Sequence, residues 1–188
     1  TGLTVYGYTG AYGDPDFKLL SITTAIGKQY VAYDGLGHLI AVTNVDLQEN
    51  ILSTRQWTRN GRGLELSATD GLGRTITYTR DSADRITRID LPDGTFEAFT
   101  FNGSGQVIAH RLLSGGTNTF TYGTNGLMTA RTDALGASTT YTYDAQDRLA
   151  SVTDALGHTT AYTHDAAGNV IRVTHPDSSW RGFGWDSS

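Results

Sequence analysis

Aspartates spaced three apart recur in this sequence, Asp81 with Asp84 and Asp144 with Asp147. Two carboxyl groups flanking one bond are the equipment of a glycosidase, one protonating the leaving oxygen and the other activating water or attacking. Five histidines, His38, His110, His158, His164 and His175, are the remaining candidates for acid, base or metal chemistry. They contain no His-Glu-x-x-His pattern and no local pair at a familiar ligand spacing, so no metal centre is expected. Gly35-Leu36-Gly37, Gly61-Arg62-Gly63, Gly71-Leu72-Gly73 and Gly103-Ser104-Gly105 each open like a phosphate loop. None has the third glycine at the dinucleotide spacing, which predicts turns and no bound cofactor. Ser104 stands in Gly-Ser-Gly, not in the Gly-x-Ser-x-Gly of a nucleophile elbow. The absence of cysteine removes thiol nucleophiles, thiolate zinc sites and disulfide scaffolds together.

The elements that must position these residues repeat. An aromatic returns every 21 residues, at Trp57, Tyr78, Phe99, Phe120, Tyr141, Tyr162 and Phe183. Three residues after each ring comes a turn residue: Asn60, Asp81, Asn102, Gly123, Asp144, Asp165 and Asp186. Thirteen residues after that stand Gly73, Gly94, Gly115, Gly136 and Gly157, with Ser178 the one departure. Each unit therefore has two turn signals, and an unbroken spacing of this kind marks a repeat protein. Aspartates that recur by unit in turn positions accept backbone hydrogen bonds, which is the reading adopted for Asp144 and Asp165 in place of acid-base pairs.

Between the turns lie two short runs rich in Thr, Val, Ile and aromatics, the composition of a pleated, half-buried strand. In the run Thr139 to Tyr143 the ring and the residue two later share one side and the intervening Thr142 takes the other, as period-two geometry demands. The same Thr recurs as Thr58, Thr79, Thr100, Thr121 and Thr163. In the other run, Arg148 to Thr153, the apolar Leu149 and Val152 are three apart and cannot share one side of a regular strand. Either a bulge intervenes or both sides are partly buried. Aliphatics such as Ile86, Val107, Met128, Leu149 and Val170 are expected to fill the gaps between rings two strands apart.

The expected fold is all-β: tandem hairpins of about 21 residues in an antiparallel strip. No linker interrupts the 188 residues, so residues 1–188 read as a single array. Residues 1–56 form irregular first units with a longer loop or extended hairpin near 45–55, and residues 57–188 are regular. Counting the irregular units gives about sixteen strands, and open sheets rarely pass about ten without curling, so the strip is expected to curve. No run of about 18 apolar residues could span a bilayer, and no basic-then-apolar leader precedes Thr4. The net charge of −5 gives no broad reason to expect nucleic acid, although seven arginines from Arg55 to Arg88 cluster against Glu65, Asp70, Asp81 and Asp84.

Tyr143-Asp144-Ala145-Gln146-Asp147-Arg148-Leu149, then Asp154-Ala155-Leu156-Gly157, then Tyr162-Thr163-His164-Asp165-Ala166-Ala167-Gly168-Asn169, resembles the YD repeat of Rhs (rearrangement hotspot) proteins. Tyr33-Asp34-Gly35-Leu36-Gly37 and Asp133-Ala134-Leu135-Gly136 match as well. The resemblance extends to the related toxin-complex B and C components and to teneurins. It implies a hollow β-shell wound from the strip, which in bacterial members holds a C-terminal toxin before delivery. No toxin domain and no self-cleaving aspartate site is recognisable here, so the chain resembles a length of wall whose partners are the rest of the parent shell and its cargo. The resemblance also implies a secreted or cell-surface location.

Two functions from different classes follow. The first is a structural shell segment with no catalytic residue. The second is a surface-binding protein that stacks glycans on rings such as Tyr143, Trp180 and Trp185. Burial of the rings separates the two. Unpaired strand edges also predict edge-to-edge self-association of a segment this short.

Overall fold

Every run of Thr, Val, Ile and aromatic residues between Asp, Asn and Gly turn signals is a strand in the computed structural model, which describes residues 4–9 and 18–185. Asp186 lies outside the described residues. The chain divides into two units, Thr1–Phe96 and Glu97–Ser188. The first holds β1 (Val5–Tyr8), β2 (Leu19–Thr24), β3 (Gly27–Tyr33), β4 (Leu39–Val45), β5 (Ile51–Arg59), β6 (Glu65–Asp70), β7 (Thr75–Arg80) and β8 (Ile86–Asp90). Each pairs antiparallel with the next. The second opens within β9 (Phe96–Phe101) and continues with β10 (Val107–Arg111), β11 (Thr117–Tyr122), β12 (Met128–Thr132) and β13 (Ser138–Tyr143). It ends with β14 (Leu149–Thr153), β15 (Thr159–His164), β16 (Val170–Thr174) and β17 (Trp180–Gly182), again a meander of antiparallel neighbours. The described residues contain no helix.

The bulge left open by the sequence is present in every hairpin of the first strand type. In the β13–β14 pair Tyr143 faces Leu149 and Thr142 faces Ser151, so Ala150 is the extra residue. That insertion shifts the phase of β14 by one. Leu149 and Val152 then both lie on the ring-bearing face, opposite Tyr143 and Tyr141, although they are three apart in sequence. The same shift recurs between Ala32 and Tyr33, Thr58 and Arg59, Thr79 and Arg80, Thr121 and Tyr122, and Thr163 and His164, and between Val107 and Ala109. Where the extra residue is Thr87 or Thr129, its hydroxyl donates to the Thr79 or Thr121 carbonyl across the break, at 3.3 Å.

The irregular stretch near residues 45–55 is an extended hairpin. Its strands, β4 and β5, run to seven and nine residues around a turn at Asp46 to Asn50, with a second bulge between Asn44 and Val45. Among the described residues no second layer covers either sheet face: only Val45, at 4% exposure, and Ala68, at 7%, are buried hydrophobic residues, joined by the backbone of Gly27. Cohesion therefore comes from strand-to-strand contacts. Rings are half-buried against aliphatics on one face, and hydroxyl pairs such as Thr58–Ser67 and Thr142–Ser151, each 2.7 Å, tie the other.

Candidate functional site

The chemistry-bearing residues converge on the hairpin turns. Every regular turn has the same five-residue geometry. In the one that begins at Asp144, the Asp144 amide donates to the Arg148 carbonyl at 2.9 Å, and the Asp147 amide donates back to the Asp144 carbonyl at 3.0 Å. The fourth residue adopts a left-handed backbone. Gly73, Gly94, Gly115, Gly136 and Gly157 hold this place with φ of 76°, 84°, 92°, 87° and 84°, and Ser178 holds it at 68°. Glycine is recurrent there because it alone meets that φ without steric cost.

The first residue supplies the second set of bonds. Asp144 Oδ1 accepts from the Gln146 and Arg148 amides at 2.9 and 3.0 Å, and Oδ2 accepts from Arg148 Nε at 2.7 Å. Partial burial pushes the Asp144 carboxyl up, but the Arg148 amide and guanidinium and the Gln146 amide outweigh it and hold the group below the usual range. Asp165 is held low chiefly by the Asn169 side-chain amide, and its Oδ1 accepts the Asn169 backbone amide at 2.9 Å. Asp81 is held low chiefly by Arg85. Where Leu91, Gly123 or His175 stands first, the third residue accepts instead: Asp93 takes the Thr95 amide, Asn125 the Leu127 amide and Asp177 the Ser179 amide.

The paired aspartates therefore hold different posts. Asp84 and Asp147 occupy the left-handed position, with φ of 63° and 62°, where most units have glycine. Each reaches back to the corresponding turn of the preceding repeat. Asp84 accepts from Arg62 and, at 3.5 Å, from Asn60, and Asp147 accepts from Asn125 at 2.7 Å. Glu49, at φ 64°, likewise pairs with Lys28 and takes the Tyr30 hydroxyl at 3.0 Å. In the second unit the Gln106 side chain donates to the Gly126 carbonyl at 2.7 Å and Arg148 to the Asp165 carbonyl at 2.6 Å. Sequence reasoning missed this lacing. Its signal is the acid that replaces glycine 22 residues after Arg62 or Asn125.

A second tie was also missed. The β12–β13 ladder stops at Ala130 opposite Thr140, short of Met128. The Met128 carbonyl instead accepts the Tyr143 hydroxyl at 2.8 Å. Tyr122 does the same to Val107 at 2.9 Å, Trp185 Nε1 to Val170 at 2.9 Å, Arg80 to Glu65 at 3.2 Å and Arg59 Nε to Leu39 at 2.8 Å. At Arg59, Arg80, Tyr122, Tyr143 and Trp185 the residue two after the periodic ring thus secures the carbonyl just before the bulge of the preceding hairpin, whereas Phe101 has no such donor to offer.

The arginine cluster is largely consumed by these tasks. Arg74, Arg85 and Arg88 pair with Asp70, Asp81 and Asp90, Arg62 with Asp84, and Arg59 and Arg80 with carbonyls. Arg55 lies over the Trp57 ring, 5.8 Å from its centroid. The histidines stay apart: His38 and His158 each contact their own turn aspartate, Asp34 and Asp154, at 3.0 Å, and His110 stacks on Phe99 with centroids 4.5 Å apart. No group of three potential metal ligands occurs among the described residues. Trp57, Tyr78, Phe99, Phe120, Tyr141, Tyr143 and Tyr162 are half-buried, whereas Trp180, Phe183 and Trp185 are exposed at the last strand.

Bulged hairpins at one sequence period, laced to a neighbour within each unit, define a β-strip repeat protein. The RHS Repeat family model matches residues 59–95, 124–159 and 143–179, and the chain belongs to this family. Comparison with curated protein sequences returns no match. Among solved structures, the TcdB2-TccC3-Cdc42 crystal structure matches with a TM-score of 0.55 at 15% identity over 92% of this chain, and TcdB2-TccC3 with 0.54 at 16% over 92%. The Tc holotoxin pore of Photorhabdus luminescens matches with 0.55 at 16% over 91%. The chain spans only 10%, 10% and 12% of those chains, and the likeness is one of fold.

Proposed function

We propose that residues 1–188 form a single repeat array serving as a wall segment of an Rhs-type β-shell. In a longer, secreted or delivered parent protein that shell encloses a C-terminal toxin, and the segment has no catalysis of its own. The observation that supports this most is the single-layer sheet. Successive hairpins are sealed by side chains that cap carbonyls and turns of the preceding one, the aspartates are committed to turns, and no second layer builds a conventional core. Such a structure, tied from hairpin to hairpin within each unit and one sheet thick, has the properties of a wall. In the parent protein, limited proteolysis should leave the C-terminal segment intact until the wall is opened. A C-terminal segment digested equally fast with an intact wall and with one weakened at Tyr122 and Tyr143 would refute the proposal.

Exposure of Trp180 at 61% and Trp185 at 59% favours a second reading, glycan stacking on rings at the last strand, with the half-buried Tyr143 of β13 as a further candidate ring. Arg172 already covers Trp180, at 4.6 Å from the ring, and Trp185 and Tyr143 are tied to carbonyls. A glycan array with the wild type and a Trp180→Ala/Trp185→Ala variant separates this reading from the first.

A further inference from the structure

Of the eight turns that begin with aspartate, the one at Asp133 is left incomplete. In seven turns that begin with aspartate, at Asp34, Asp46, Asp70, Asp81, Asp144, Asp154 and Asp165, Oδ2 takes a side chain four residues on. After Asp133 that position is Ala137, which has nothing to offer, and Oδ1 alone is used, by the Leu135 and Ala137 amides at 2.9 Å. The same turn exposes Leu135 to 95%, more than any other large apolar side chain among the described residues. This tip, Asp133-Ala134-Leu135-Gly136, thus presents an open carboxylate oxygen beside a fully exposed leucine.

The first unit carries a complementary feature. A groove of about 510 Å³ on the ring-bearing side is floored by Ala68, Ile76, Leu91 and Pro92 and rimmed by Arg55 and Arg74. Ala68 stands opposite Trp57, at the place where Ile89 and Val152 face Tyr78 and Tyr141, and its small side chain leaves the space. The acids at the groove, Asp70 and Asp93, are already bonded to Arg74 and to Thr95. Arg55 is the one arginine from residue 55 to 88 whose described contacts include no carboxylate or carbonyl, only the Trp57 ring. Cation and apolar floor in one unit match anion and leucine in the other.

We propose that the groove at Arg55 and Ala68 receives the Asp133–Gly136 turn of a second copy of this chain, Arg55 pairing with Asp133 and Leu135 filling the floor. The contact is heterologous: each copy offers one groove and one tip, so association continues head to tail instead of closing as a two-fold dimer. A single turn buries far less than the roughly 800 Å² per partner of a stable complex, so the association is weak and concentration-dependent. It is separate from pairing of strand edges, which uses main-chain groups, and it does not rest on the shell reading.

The test uses the whole chain in sedimentation equilibrium over a wide concentration range. Arg55→Glu and Leu135→Ser should each raise the apparent dissociation constant at least tenfold. Asp133→Asn, which keeps the turn acceptor as Asn60 and Asn102 do, should raise it severalfold. The native chain has no cysteine, so crosslinking reads the contact directly. A mixture of Pro92→Cys and Leu135→Cys copies should oxidise to a heterodimer faster than Pro92→Cys mixed with Leu36→Cys, an exposed leucine at the other end of the strands. A monomer at all concentrations, association unmoved by Arg55→Glu and Leu135→Ser, or equal crosslinking of the two mixtures would each overturn the proposal.

Discussion

Replacing Tyr143 by Phe removes one hydroxyl and nothing else, which makes it a direct test of how the repeats are joined. The lost bond is a 2.8 Å, partly buried link from the hydroxyl to the Met128 carbonyl. A neutral hydrogen bond of this kind contributes about 1 kcal/mol net, and the carbonyl can be rehydrated only in part because the ring stays over it. Tyr143→Phe should therefore destabilise the chain by about 1 kcal/mol. Tyr143→Ala also gives up the ring that faces Leu149, half-buried, which adds roughly 1 to 2 kcal/mol. Urea unfolding followed by far-UV circular dichroism reads both as shifts in midpoint at unchanged slope. If Tyr143→Phe unfolds with the wild type, the hydroxyl joins nothing; if it is as damaging as Tyr143→Ala, the ring contributes nothing. Phe101, which occupies the equivalent place without a hydroxyl, shows that a unit can be built without this bond.

Other perturbations probe the turns. Gly136→Ala places a Cβ with nothing within 4 Å, so its expected cost of about 1 kcal/mol comes from the left-handed φ of 87° alone, and an unchanged urea midpoint would refute that account. Asp147→Gly trades a bond from Asn125 for relief of backbone strain, and its midpoint should match or exceed the wild type, whereas Asn125→Ala, which loses the bond without that relief, should fall below it. Asp144→Asn should melt close to the wild type, since Asn60 and Asn102 make the same turn bonds, while Asp144→Ala melts clearly lower. The carboxyls of Asp70, Asp81 and Asp165 are depressed chiefly by side-chain bonds from Arg74, Arg85 and Asn169, and those of Asp34 and Asp154 chiefly by the His38 and His158 amides. Each binds its proton less readily folded than unfolded, so its stabilisation is complete above an unfolded value of about 4 and is lost as pH falls through the lower folded value. The urea midpoint should hold from neutral pH down to about 5 and then decline below about 4, and a midpoint constant down to pH 2 would contradict the turn chemistry.

The all-β class, the two turns per unit and the facing of ring against threonine were legible because each depends on residues within a few positions of one another. Tyr141 and Thr142 declare opposite faces by adjacency, and Asp144 declares a turn by the company of Ala145, Gln146 and Asp147. The bulge was half legible. Leu149 and Val152 showed that a regular strand was impossible, but only the pairing of Thr142 with Ser151 identifies Ala150 as the extra residue. The lacing was not legible, because its partners lie 15 to 24 residues apart and its acceptors are often carbonyls, which no residue type announces. For the same reason the turn reading of Asp147 did not extend to its bond with Asn125.

The bulge and the lacing are one device. Shifting the phase of β14 lets both Leu149 and Val152 join the ring face, so the hairpin keeps its apolar contacts on one side. The same shift recurs in β12 at Met128, beyond the last rung shared with β13, where a carbonyl is left for which the ladder supplies no donor. A long side chain from the following hairpin supplies it. Because the acceptor is backbone, it is the same in every unit, and the donor is free to vary among Arg59, Arg80, Tyr122, Tyr143 and Trp185 as long as it is long and ends in N–H or O–H. A repeat joined in this way can tolerate wide sequence change in its loops and second-strand positions while still fixing the register of its neighbour, which accounts for a period that is unbroken from Trp57 to Phe183 although few positions are invariant.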